Sequence, residues 1–301
     1  MTSTQATIQD RLQGSMTALI TPMQSNGDVD WQSLANLIDW QIEQGTDALV
    51  AVGTTGESAT LSMTEHAEVM DFYMKQVAGR IPVIAGTGAN NTVEAIELTQ
   101  HAKAVGADAV LLVAPYYNKP TQEGMYLHYK AIAEAVDIPQ VLYNVPGRTV
   151  VDLHNDTVAR LADIDNIIGI KDATGDVTRG AQLIEAVKGR MIVMSGDDAT
   201  AVELMKHGAK GNISVTANIA PGIMSQICHH VLKGEFAQAE ALDAKVAHLH
   251  RDLFIESSPI PVKYALNKMG RIEPGIRLPL TWLSAQYQPV IDEALAKAGL
   301  L

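Results

Sequence analysis

Eight short, almost uninterrupted apolar runs constrain this chain more than any other feature. They lie at residues 16–20, 47–52, 81–85, 108–114, 139–145, 167–170, 191–194 and 211–215. Each has four to eight residues and none alternates apolar with polar, which marks strands buried on both faces, as in a parallel sheet. Amphipathic stretches at 31–44, 64–78, 92–105, 122–136 and 177–187 fall between them. Several of these stretches end in a glycine just ahead of the next run: Gly45, Gly79, Gly106, Gly189 and Gly208. Glycine at that place suits the left-handed cap of a helix C-terminus. Eight strand–helix units within residues 14–233 predict an α/β fold, a (β/α)8 TIM barrel, whose usual size is about 250 residues. A doubly wound open sheet is the rival, and the eightfold count disfavours it.

After about residue 233 the strand signal stops. Residues 234–254, 259–268 and 281–299 read as three helices, the second opening on Pro-Ile-Pro, a favoured first turn. The expected organisation is an N-terminal extension at 1–13, disordered or lying on the surface, a catalytic barrel at 14–233 and a helical appendage at 234–301. The charge balance of 22 Lys and Arg against 34 Asp and Glu gives −12, with no basic run, which argues against nucleic acid and anionic membrane surfaces. The single cysteine, Cys228, rules out a disulfide framework within one chain and reads as a buried structural thiol. No apolar run approaches the roughly 18 residues of a membrane span, and the first residues do not resemble a secretion signal. A soluble, cytoplasmic protein is expected.

In barrels of this kind the chemistry sits just beyond the C-terminal ends of the strands. Those positions hold Thr54, Thr55, Tyr116, Tyr117, Tyr143, Arg148, Lys171 and Gly196, a set rich in hydroxyls with one lysine and one arginine. Metal-ligand spacings and nucleotide-phosphate loops are missing from it, so no metal and no cofactor are predicted. Lys171 follows a buried run directly. It is either a strand-end lysine reaching solvent or pairing with Asp172, or an amine whose proton affinity falls in a desolvated pocket. A free amine there can attack a carbonyl and form a Schiff base, the logic of a class I aldolase. Three of the eight tyrosines gather at one rim, where a hydroxyl relay can move protons without carrying charge. Arg148 is a candidate clamp for a substrate carboxylate. The backbone N–H groups of the Gly56-Glu57-Ser58 turn are a second candidate for that task.

Several motifs in fixed order make the pattern specific: Gly53-Thr54-Thr55-Gly56-Glu57-Ser58, Tyr116-Tyr117-Asn118-Lys119-Pro120, Tyr143-Asn144-Val145-Pro146-Gly147-Arg148-Thr149, Gly169-Ile170-Lys171-Asp172-Ala173-Thr174-Gly175 and Ser195-Gly196-Asp197-Asp198. Together they strongly resemble the 4-hydroxy-tetrahydrodipicolinate synthase family, from about Gly14 to Leu301. The resemblance implies condensation of pyruvate with L-aspartate 4-semialdehyde, the committed step toward lysine and diaminopimelate. It implies Lys171 as the Schiff-base residue and Tyr143 as the main proton donor and acceptor. Thr54 would link Tyr143 to a Tyr117 contributed across a tight dimer interface. Thr55 would bind the pyruvate carboxylate and Arg148 that of the semialdehyde, with Gly196 and Ile213 as pocket wall. A feedback site for lysine is implied at Ser58, Ala59, His66, Asn90, Glu94 and Tyr116, near Met63, where strongly lysine-sensitive members carry histidine. A homotetramer, a dimer of dimers, is implied. The sister N-acetylneuraminate lyases share the barrel, the lysine and the tyrosine, but Thr54-Thr55 and Arg148 favour the synthase. A non-catalytic ligand-binding barrel is the remaining alternative.

Overall fold

Each apolar run forms a strand, and the eight strands pair in parallel around a closed ring, β1 finally meeting β8. The structure is a computed structural model that describes residues 7–301. The strands are β1 (Gly14–Ala18), β2 (Ala48–Ala51), β3 (Val83–Gly86), β4 (Ala109–Val113), β5 (Gln140–Asn144), β6 (Ile167–Asp172), β7 (Ile192–Ser195) and β8 (Gly211–Ser214). The outer layer and termini are built from α1 (Ile8–Arg11), α2 (Trp31–Glu43), α3 (Met63–Val77), α4 (Thr92–Ala104), α5 (Gln122–Ala135), α6 (Pro146–Thr149), α7 (Asn155–Leu161), α8 (Val177–Val187), α9 (Ala201–Lys206) and α10 (Pro221–Leu232). The glycines expected as helix caps all have positive φ, from 73° at Gly79 to 114° at Gly208.

The alternation of strand side chains divides the core in two. Met16, Val50, Ile84, Leu111, Val141, Met194 and Ile213 point inward and fill the barrel, while the outward set packs under the helices. Cys228 lies on α10 within the outer set and is 2% exposed. The floor of the barrel departs from expectation. Residues 1–6 lie outside the described residues, but α1 is a capped turn, not a loose surface segment. Thr7 accepts the Asp10 N–H and the Asp10 carboxylate accepts the Thr7 N–H. Leu12, fully buried, joins the inner apolar cluster, and the Gln9 amide donates to the Ile168 carbonyl at 3.2 Å. Burial of one leucine holds the segment down.

The appendage consists of α11 (Phe236–Asp252), α12 (Ile260–Lys268) and α13 (Gln288–Lys297). The third helix begins seven residues later than expected. Pro289 falls in its first turn, and a helix running through from residue 281 would lose a hydrogen bond and clash at that ring. Among the described residues, no helix is long and apolar enough to cross a membrane.

Candidate active site

A local irregularity in β6 aims the lysine. Gln140 pairs with Ile167 but Val141 pairs with Gly169, so Ile168 is an extra residue, a bulge. The bulge resets the alternation: Ile168 joins the inner cluster, Ile170 the outer one, and Lys171 turns inward. Tyr143 is its lateral partner on β5, and the two side chains share a face. The Lys171 ammonium lies 4.3 Å from the Tyr143 ring centroid. Burial lowers the Lys171 pKa to about 8, helped by the Arg148 charge and opposed by Asp198. Asp172 points the other way, toward α8, and accepts the Thr174 N–H at 3.1 Å, so the two neighbours do not pair. Lys171 is 5% exposed and is not a lysine reaching for solvent.

Tyr143 is buried too, which pushes its phenol up, while the Arg148 charge and the Thr54 hydroxyl pull it back. Thr54 and Thr55 ride on a tight turn after β2. The Glu57 N–H donates to the Thr54 carbonyl at 3.1 Å and the Ser58 N–H to the Gly53 carbonyl at 3.4 Å. Those two amides are thereby occupied, so of the three considered from sequence as a carboxylate cradle only the Gly56 N–H stays outside the turn's own bonds. The Thr21 hydroxyl donates to the Gly56 carbonyl at 2.7 Å and pins the turn to the neighbouring strand end. Gly196 is required by contact: a Cβ there would lie 2.6 Å from Lys171 Cε. Ile213 contributes to the inner wall and is 1% exposed. Arg148 sits on α6, donates from Nη2 to the Ser258 carbonyl at 3.2 Å, and faces a cavity of about 770 Å³. Thr54 lines the same cavity and, with Tyr143, also lines a smaller void of about 30 Å³.

The far wall of the large cavity is formed by Ser58, Ala59, Met63, His66, Glu94 and Tyr116. Burial lowers the His66 pKa, and the neutral ring's Nε2–H donates to the Gly86 carbonyl at 2.8 Å. Burial and the Glu94 charge both raise Tyr116. Asn90 stands apart from the lining, with its amide donating to the Tyr116 carbonyl at 3.2 Å. Tyr117 is not brought to the site of its own chain. It is 88% exposed, with φ 72°, at the tip of the segment after β4.

One carboxylate and one ion pair received no role in the sequence reading. Asp198 accepts from Asn212 Nδ2 (2.7 Å) and from the Val215 and Thr216 amides (3.1 and 2.9 Å), fixing the end of β8 within electrostatic reach of Lys171. Glu57 and Lys263 form a buried ion pair between the Thr54 turn and α12. A lysine inside the run Ile260-Pro261-Val262-Lys263-Tyr264-Ala265-Leu266 was the available signal, since a cation there needs an anion.

The dihydrodipicolinate synthetase family model matches residues 11–298. The chain belongs to that family. It is 65% identical over the full length of both chains to the 4-hydroxy-tetrahydrodipicolinate synthase of Psychrobacter sp. (strain PRwf-1). Among solved structures, the chloride-inhibited dihydrodipicolinate synthase of Acinetobacter baumannii complexed with pyruvate is 62% identical. It superposes with a TM-score of 0.96 over 96% of this chain and all of that one. The lysine-bound enzyme of Cyanidioschyzon merolae is 37% identical, with a TM-score of 0.93 over 97% of this chain and 99% of the other. The chemistry of this family member is that of the synthases, and the sugar-acid lyase and non-catalytic readings are set aside.

Proposed function

We propose that the chain condenses pyruvate with L-aspartate 4-semialdehyde through a Schiff base on Lys171, giving 4-hydroxy-tetrahydrodipicolinate. The observation that carries this is a buried lysine amine, near pKa 8, 4.3 Å from the ring of a buried tyrosine. The free amine attacks the ketone carbon of pyruvate, water leaves, and the iminium draws electrons from the adjacent methyl group. Loss of a methyl proton gives an enamine whose carbon attacks the aldehyde; the semialdehyde's own amine then attacks the iminium carbon, closing the ring and expelling the Lys171 amine. Tyr143 moves these protons, with Thr54 linking it to a Tyr117 supplied by the partner subunit. Thr55 holds the pyruvate carboxylate, Arg148 that of the semialdehyde, and Gly196 and Ile213 shape the wall. Residues 14–233 carry this chemistry and 234–301 form the appendage, within a homotetramer.

The outer part of the cavity is a site for lysine as feedback inhibitor. Glu94 meets its α-amino group and Tyr116 its carboxylate. Ser58, Ala59, His66 and Asn90 complete the surround, and Met63 lies along the alkyl chain. A thioether lacks the hydrogen bonds of an imidazole, so inhibition is partial and tightens in Met63→His. Titration of lysine against initial rates, with calorimetry, checks this; no inhibition and no heat at saturation would refute it.

The test of the main reading is borohydride reduction in the presence of pyruvate, followed by peptide mapping. The adduct falls on Lys171; an adduct on Lys119 or Lys263 would overturn the assignment. Turnover with the semialdehyde and none with N-acetylneuraminate completes the test.

A further inference from the structure

Glu57 and Lys263 form an ion pair that the reaction scheme above leaves unused. Both side chains are fully buried. Joining two elements by a buried ion pair is costly, because an apolar pair of similar volume commonly stabilises as well or better. Glu57 adds a second cost: its φ of 58° lies in the left-handed region, where glycine would be relaxed. Two unfavourable terms at one position point to a geometry being held rather than a space being filled.

That geometry is the Thr54 turn. The Glu57 backbone N–H donates to the Thr54 carbonyl at 3.1 Å. Its carboxylate meets the Lys263 ammonium and accepts the Arg277 backbone N–H at 3.3 Å. Lys263 is itself fixed by donating to the Gly275 carbonyl at 2.9 Å. The Arg277 guanidinium closes the ring by donating to the Thr60 carbonyl at 3.0 Å, on the far side of the same turn. The network ties the appendage to the segment that carries Thr54, and Arg277 extends it to the Gly27 carbonyl at 2.7 Å and to Glu65 on α3.

We propose that Lys263 is a positioning residue for the condensation, setting the Thr54 hydroxyl against Tyr143 through its buried pair with Glu57. The inference rests on the assignment of Thr54 and Tyr143 to proton transfer. The helical appendage thereby takes part in catalysis at a distance, by fixing a hydroxyl it never touches.

A double-variant cycle on the full-length chain tests this. Lys263→Met is expected to lower kcat by about 10- to 100-fold, the scale of a small misplacement of a reacting group. Pyruvate trapping on Lys171 persists in that variant, because β6 holds the amine independently. In a Thr54→Val background Lys263→Met costs nothing further, since the hydroxyl to be placed is gone. Losses that multiply in the double variant, or a Lys263→Met enzyme of unchanged kcat, overturn the proposal. Should circular dichroism find Lys263→Met unfolded, the same cycle is read on Glu57→Gln, which keeps the shape of the side chain and removes its charge. If wild type itself fails to trap pyruvate on Lys171, the functional reading falls together with this one. Trapping that succeeds beside multiplying losses defeats the positioning role alone.

Discussion

A lysine shifted to about 8 is about one-tenth free amine at pH 7, so the amine limits the first step below that value. The rate of pyruvate trapping should climb with pH and level off above about 8. The two nearby charges bias that limb in opposite senses. Arg148 disfavours the ammonium, so Arg148→Ala should move the limb to higher pH; Asp198 favours it, so Asp198→Asn should move it lower. Stopped-time borohydride trapping across pH 6–10 measures both shifts, and a common direction for the two variants would refute the electrostatic account. Tyr143→Phe and Thr54→Val should each slow turnover by about 10²- to 10⁴-fold, less than multiplicatively when combined. Lys171 was legible in the sequence because an ammonium directly after an apolar strand has few places to go. The pairing of Lys263 was not: a lysine within an apolar run calls for an anion, but Glu57 lies far away along the chain and no periodicity names it.

At the scale of elements, α3 shows how the site is tied to its surroundings. Ser62 caps the helix and Glu65 returns the bond to the Ser62 N–H, while Arg277 forks onto both Glu65 oxygens at 2.6 and 2.9 Å. This holds Glu65 at about 2, first through Arg277 and then through the Ser62 amide. The folded-state value lies below the ordinary 4.5, so the contribution to stability is complete above that pH and disappears as pH falls from about 4.5 toward 2. Glu65→Gln should flatten that part of the acid-unfolding curve, and Ser62→Ala should cost about 1 kcal/mol at neutral pH by thermal unfolding. All eight strands were legible, since continuous apolarity and glycine caps are local signals. The β6 bulge was not: it depends on how Gln140 and Val141 register against the neighbouring strand, and only pairing reveals it. The late start of α13 could have been read from Pro289, had its first-turn preference been weighed against the amphipathic pattern ahead of it.

For the whole molecule, the proposed donation of the exposed Tyr117 to a partner's site makes assembly a catalytic question. On that proposal, mixing inactive Lys171→Ala and Tyr117→Phe chains, then allowing subunits to exchange, should restore turnover at one site of each hybrid pair, the site whose own lysine is intact and whose tyrosine comes from the Lys171→Ala chain. No recovery in mixtures of differently tagged chains, proven hybrid by native mass spectrometry, would refute donation across the interface. The buried thiol on α10 gives a further handle on the molecule as a unit. Cys228 is the chain's single cysteine, and its burial raises its pKa well above that of a free thiol. Alkylating reagents need an accessible thiolate, so the native protein should be chemically silent toward them. Labelling then proceeds at the frequency with which α10 lifts from the barrel wall, and each modified molecule is a record of one such event. The protein thus carries a built-in clock for its own opening, readable by mass alone and in the presence of substrate, where a ligand that closes the barrel mouth should slow it.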